Sequence, residues 1–155
     1  MGDRYFRRGV SKMSFLPAVA TPGTPARAEI TAGTDLSIDL ADITGFQFEN
    51  SPIQTPNLGS SFTPQIDGED TVPTSGFTFY DRDAADDTIR DVLAKGTKGY
   101  VALFPYGDIP TERMEIWEIS SSGVNDEWSM GNDAARFMVG ISVLSPPEQT
   151  VAIPA

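Results

Sequence analysis

The sequence predicts a mainly β fold: a β-sandwich or barrel with one short flanking helix, an extended N-terminal arm and one long loop. Three observations predict it. Several short stretches alternate apolar and polar residues with a period of two, the pattern of strands with one buried face. Only one stretch, 83–95, spaces its apolar residues as a helix does. Fourteen glycines and 12 prolines in 155 residues supply the turns that many strands need. Strands with a single helix laid on one side make a sandwich or barrel. A chain of this length is one domain with a sizeable core. The expected division is a basic arm over 1–11 and one domain over 12–155. No internal repeat is present.

The first element is open to two readings. "RRGVSKMSFLPAVA" (7–20) has the order of a secretory signal, with basic residues, a short apolar run and a small-residue end. Ser14 and Pro17 interrupt that run, whereas a signal wants about 7–15 apolar residues together. Read as a strand, Met13, Phe15 and Pro17 share one face, and Ser14 and Leu16 the other. The strand reading is the better one.

"TPGTPA" (21–26) is a turn, and "RAEI" (27–30) a short strand candidate. In 31–42, Leu36, Ile38 and Leu40 alternate without deciding the element. "DITGFQFEN" (42–50) reads as a strand with Phe46 and Phe48 on one face. The long loop is 50–75. Pro52, Pro56, Pro64 and Pro73 forbid a helix there, yet Ile53, Leu58, Phe62 and Ile66 are more apolar than a plain linker needs. "GFTFYDR" (76–82) alternates as a strand. The helix over 83–95 starts with Asp83 as N-cap, has Asp86 and Asp87 in its first turn, and stops at Gly96. Its apolar face is Ala85, Ile89, Val92 and Leu93.

"GYVALFPYG" (99–107) is nearly all apolar, as in a strand buried on both faces. "ERMEIWEIS" (112–120) is a strand with Met114, Ile116 and Glu118 opposite Glu115, Trp117 and Ile119. Residues 122–133 carry turn signals. "AARFMVGISVL" (134–144) sets Phe137, Val139, Ile141 and Val143 on one face. The tail, 145–155, is bounded by prolines and holds a small apolar patch.

Composition removes several function classes. Eleven basic residues against 22 acidic ones give −11 and a pI near 4.2. The split is uneven: residues 1–12 carry +3, from Arg4, Arg7, Arg8 and Lys12 against Asp3, so the remainder carries −14. Such a body does not bind nucleic acid by neutralising phosphates. Without Cys there is no disulfide, thiolate or Cys-based zinc chemistry, which also fits a reducing cytoplasm. Without His the commonest general base and metal ligand is missing. No apolar run approaches the ~20 residues of a membrane-spanning helix.

Four constellations invite chemistry. "DGED" (67–70) offers three carboxylates to a hard cation such as Ca²⁺, but its spacing is not that of an EF-hand, and a solvated loop tip is the better reading. "NDEW" (125–128) and "GND" (131–133) offer paired carboxylates, or simply the residues a hairpin turn prefers. Ser11-Lys12 would need buried spatial pairing to act as a dyad. Trp117, Trp128, Tyr100 and Tyr106 could stack sugars, but core packing and subunit contact are the better readings. No full set of catalytic parts assembles from these. Neither a cofactor nor a metal site is expected.

Five stretches in succession carry a resemblance: "MGDRYFRRGVSKMSFLPAV", "EITAGTDLSIDLADITGF", "SFTPQIDGEDTV", "TFYDRDAADDTIRDVLAKGTKGYVALFPYG" and "SGVNDEWSMGNDAARFMVGISV". Together they resemble the major tail tube proteins of long-tailed phages of actinobacteria, over almost the whole chain. The resemblance implies a non-enzymatic virion protein of the tail, made in the host cytoplasm. It implies six-membered rings stacked into a hollow tube around a tape-measure protein, with tail terminator and distal tail or baseplate proteins as further partners. DNA passes through without specific binding, and no membrane is involved. The tube of a phage-like injection device is the nearest alternative. A secreted sandwich binding carbohydrate or Ca²⁺ is a more distant one.

The residues fit that implication. Ring closure satisfies strand edges that a lone sandwich would expose. An acidic wall repels DNA over a Debye length of about 8 Å, where a basic one would hold it. The expected contacts between copies are Arg4, Arg7 and Arg8 in the arm and Ile53, Leu58, Phe62 and Ile66 in the long loop. Glu115 and Glu118 are the candidates to face the channel. They fall on opposite faces of one strand, so only one points inward unless a bulge intervenes.

Overall fold

The computed structural model describes residues 2–83 and 88–155. Its strands are β1 (Lys12–Leu16), β2 (Thr34–Asp35), β3 (Leu40–Thr44), β4 (Glu49–Gln54), β5 (Gln65–Thr71), β6 (Ser75–Tyr80), β7 (Lys98–Phe104), β8 (Arg113–Glu127), β9 (Arg136–Val143) and β10 (Glu148–Ala152). The helices are α1 (Arg27–Thr31) and α2 (Thr88–Val92). Among the described residues, eight strands form one antiparallel sheet in the order β2-β1-β7-β8-β9-β6-β3, with β10 also on β8. β4 and β5 form a separate hairpin.

β8 organises the sheet. Its first half pairs with β7 on one side and β10 on the other, and its second half pairs with β9. The sheet curls over a first core. Met13, Phe15 and Val101 from one end pack there with Phe77, Phe79, Phe137 and Val139 from the other, around the fully buried Trp117. Ile89 and Leu93 of α2 belong to the same cluster. A second core lies on the opposite face of β1, β7 and β8, where Leu16, Ala102, Phe104, Met114 and Ile116 meet Ile30 of α1 and Val151 and Ile153 of the tail. β7 is therefore buried on both faces, as its unbroken apolar run requires.

The segment 12–20 is built into this body: β1 lies between β2 and β7, with Met13 and Phe15 in one core and Leu16 in the other. Several expectations need correction. "RAEI" is a helical turn, not a strand. Glu29 accepts from the backbone N–H of Ala26 and of Ala20, at 2.8 and 2.7 Å, and Ala26 has no side-chain acceptor to complete a capping box. Arg27 donates to both oxygens of Asp108 at 2.6 and 2.8 Å. The strand expected over 42–50 is broken at Gly45 and Phe46, both at positive φ. Phe46 donates its N–H to Ser75 Oγ and turns its ring onto Phe77, at 5.1 Å and stacked. A Cβ on Gly45 would lie 2.3 Å from Ser75 Oγ, so the bend demands glycine there.

The long loop 50–75 is instead the β4–β5 hairpin. Pro52 is tolerated because this hairpin is all edge. "DGED" lies within β5 rather than at a loop tip. The helix expected over 83–95 ends earlier, at Val92. Ser121 stops it: its hydroxyl donates to Leu93 O at 2.8 Å, while its backbone pairs with Gly96 and Thr97. Ala84, Ala85, Asp86 and Asp87 lie outside the described residues. α1 makes a second short helix where one was expected. The turn region 122–133 is strand as far as Glu127, because β9 pairs with it past a register shift near Gly123. The tail over 145–155 contains a true strand, β10.

Candidate assembly surfaces

The β4–β5 hairpin is exposed along nearly its whole length on both faces. Its register pairs Glu49 with Thr71, Ser51 with Glu69 and, past a bulge, Ile53 with Ile66. Ile53 and Ile66 thus form a cross-strand apolar pair open to water. Between the strands, Leu58 and Phe62 are exposed by 106% and 74%. The structure brings all four expected apolar residues onto one projecting element. Glu49, Asp67, Glu69 and Asp70 make that element strongly acidic, with no basic residue among 28–81.

The arm is exposed and carries its own order. Arg7 stands over the Tyr5 ring at 5.7 Å and Arg8 over Phe6 at 5.9 Å. Tyr5 packs on Tyr106, 5.3 Å between ring centres. A turn closes from Val10 and Ser11 onto Arg7 O, with Gly9 at positive φ. The Ser11 hydroxyl donates to Pro105 O at 2.6 Å, so it is engaged structurally rather than paired with Lys12. Among the described residues, Arg4, Arg7 and Arg8 form no ion pair.

Glu115 and Glu118 take opposite faces of β8. Glu115 is half-buried with Arg113 Nη1 4.0 Å away, so a cation does stand nearby. Glu118 accepts from Ser145 Oγ at 2.7 Å, on the face of Met114 and Ile116. Each carboxylate has a polar partner within its own subunit, as partial burial demands.

Sequence reasoning singled out NDEW, GND and Trp128 at the far end of β8 but missed the groove that they line. Arg90 of α2 donates to Asp81 at 3.0 Å and also to Asp126, and lies over the Phe137 ring at 4.4 Å. Beside it, an open groove of about 780 Å³ runs past Glu127, Trp128, Asp133 and Arg136. Trp128 is 91% exposed, and Met130 is fully exposed. The signal was present, since a Trp and a Met in a turn have no core to fill. Trp117 is core, and Tyr100 packs against the second cluster. Among the described residues no group of three or more metal-ligating side chains converges.

A family model for phage tail tube proteins matches residues 1–155, the whole chain. The chain belongs to the phage tail tube protein family. A tail tube protein is a structural component. Solved structures share the fold at low identity. A chain of the anti-feeding prophage baseplate aligns with TM-score 0.62 and 8% identity, over 96% of this chain and 98% of that one. A tail chain of a gene transfer agent particle gives 0.54 and 12%, over 92% and 95%. A chain of the sheath–tube complex of an extracellular contractile injection system gives 0.52 and 8%, over 91% and 89%. No curated protein sequence matches the chain.

Proposed function

We propose that this tail tube protein closes into six-membered rings, and that the rings stack into the hollow tail tube of a long-tailed phage of actinobacteria. The tube forms around a tape-measure protein, is finished by terminator and distal tail or baseplate proteins, and carries the genome outward without binding it. The protein has no enzymatic role. It is made in the host cytoplasm and ends in the virion tail. Residues 12–155 act as one subunit body, and residues 1–11 as an arm that crosses to another copy. In this reading Ile53, Leu58, Phe62 and Ile66 dock on a neighbouring subunit or ring, and Glu115 or Glu118 faces the channel.

The observation that carries the reading is the β4–β5 hairpin. A two-stranded hairpin alone in water is marginal at best. This one projects with both faces wet and four apolar residues exposed. A neighbour that covers them supplies the missing apolar burial. Negative-stain microscopy of the purified protein tests it: rings or hollow tubes are expected, and a monodisperse monomer at all concentrations overturns the reading.

The likeness to an anti-feeding prophage chain favours one second reading, the tube of a phage-derived injection device. Particles purified from a producing strain separate the two. Genome-length DNA inside them belongs to a phage, and its absence to a device.

A further inference from the structure

The arm and the groove at the β8–β9 turn lie at opposite ends of β8. Arg113, at the start of β8, stands 5.8 Å from the centre of the Tyr106 ring, on which Tyr5 of the arm packs. Glu127, at the end of β8, pairs with Arg136 beside the groove. Fifteen residues of strand separate the two ends, roughly 45 Å at about 3.3 Å per residue.

The two ends are chemically complementary. One presents Arg4, Arg7 and Arg8 with Tyr5 and Phe6, all exposed, and none of the arginines ion-paired among the described residues. The other presents Trp128 with Glu127 and Asp133, whose carboxylates are likewise outside every ion pair among the described residues. Two of the three arginines around the groove are already ion-paired: Arg82 with Asp39 at 2.8 Å, and Arg90 with Asp81 and Asp126. Arg136 lies over the Tyr80 ring, outside every ion pair among the described residues. Glu127 and Asp133 against Arg136 leave a net negative charge beside an exposed indole, which suits an arginine that needs both an ion partner and an aromatic face.

A subunit cannot satisfy this complementarity by itself. The arm is held at Ser11 by its bond to Pro105, at the arm end of the body. From Ser11 back to Arg4 the chain spans at most roughly 25 Å, short of the far end of β8. Complementary patches at opposite ends of one molecule make a heterologous, head-to-tail contact.

We propose that the arm of one copy seats in the β8–β9 groove of another, with Arg7 and Arg8 on Glu127 and Asp133 and with Trp128 covering the arm's aromatic residues. This rests on the reading that the arm crosses a subunit boundary, and it names the acceptor.

The test is a charge exchange in the full chain, read as the critical concentration for tube formation. Glu127→Lys with Asp133→Lys, and separately Arg7→Glu with Arg8→Glu, should each raise it by about tenfold, because each leaves like charges facing. The chain with all four substitutions should return close to wild type. Wild-type assembly by the Glu127→Lys/Asp133→Lys chain overturns the assignment and leaves the tube reading intact, as does failure of the fourfold variant to recover. A wild-type protein that never assembles overturns both. Should charge reversal impair folding, Arg7→Cys with Asp133→Cys serves instead, since the chain has no other thiol. Oxidation of tubes should then give a ladder of linked copies under non-reducing denaturing electrophoresis, and monomer alone overturns the contact.

Discussion

Arg90 holds its guanidinium carbon 4.4 Å from the centre of the Phe137 ring while donating to Asp81 at 3.0 Å and to Asp126. One side chain thus links α2, the end of β6, the end of β8 and β9. The side chain is three-quarters shielded from solvent, and the guanidinium faces a buried ring. Arg90→Ala should lower stability by about 1–2 kcal/mol, the sum of a partly desolvated cation–π contact and screened ion pairs. Arg90→Lys should recover only part, because an ammonium cannot stack flat and fork to two carboxylates. The urea midpoint of the unassembled protein measures both.

Glu29 gives stability an acid limb. Backbone N–H donors at Ala26 and Ala20 hold its carboxyl below the usual glutamate range. A carboxyl depressed in the folded state stabilises fully above its unfolded value, and that contribution fades as pH falls through the folded value. Glu29→Gln should therefore cost more stability near about pH 6 than in acid below the folded value, where the native side chain is protonated too. A cost that is equal at both pH values would mean that the residue acts through packing.

Much of this fold was legible, and what was hidden depends on distant partners. Phe77 and Phe79 in β6, and Phe137, Val139 and Ile141 in β9, announce themselves because alternation is a local property. α1 does not, since five residues cannot display a helical period and its ties reach Asp108, 81 positions away. The break at Gly45 and Phe46 hangs on Ser75, 29 positions on. Gly123 and Asn125 look like turn residues, but pairing with β9 overrides their preference. At the surfaces, the identity of Ile53, Leu58, Phe62 and Ile66 was readable, while the hairpin that gathers them was masked by Pro52, Pro56 and Pro64. Of the groove, Trp128 and the NDEW and GND carboxylates were readable, but not their assembly with Asp81, Arg82 and Arg90 from four separate segments.

Phe62 should matter to assembly and hardly at all to folding. Its side chain is mostly in water in the subunit, so Phe62→Ala should change subunit stability by no more than about 0.5 kcal/mol. A buried aromatic anchor at a contact is worth more, about 2 kcal/mol or above. Light scattering of polymerisation alongside urea unfolding separates the two. Loss of both in parallel would place Phe62 in the folding core instead.

Removing the arm should spare the body. Residues 2–9 contribute nothing to either buried core, so their deletion should leave a folded subunit. That subunit should polymerise poorly, and the little polymer it forms should be less sensitive to salt than wild-type tubes. Exposed ion pairs are individually weak and screened, but a ring repeats them. Tubes of normal yield and normal salt response from the deletion would refute the arm's role.

Charge reversal at Glu115 tests the channel. Glu115 shares its face of β8 with Arg113, and the 4.0 Å separation leaves the carboxylate only loosely engaged. Glu118 is held more firmly, by the Ser145 hydroxyl at 2.7 Å, and lies beside the second core. Of the two, Glu115 is the less firmly held, and Glu115→Lys should cost about 1–2 kcal/mol, because it sets a second cation beside Arg113. If its carboxylate reaches the channel beyond the buried Trp117 and Ile119 of the same face, the reversal converts each copy's contribution from repelling to attracting phosphate. Tubes of normal appearance should then retain short duplex DNA at low salt and release it as salt rises, since such binding depends on counterion release. Wild-type tubes should retain none at any salt. Glu115→Lys tubes that also retain none would place Glu115 away from the channel and leave Glu118 as the residue to reverse next.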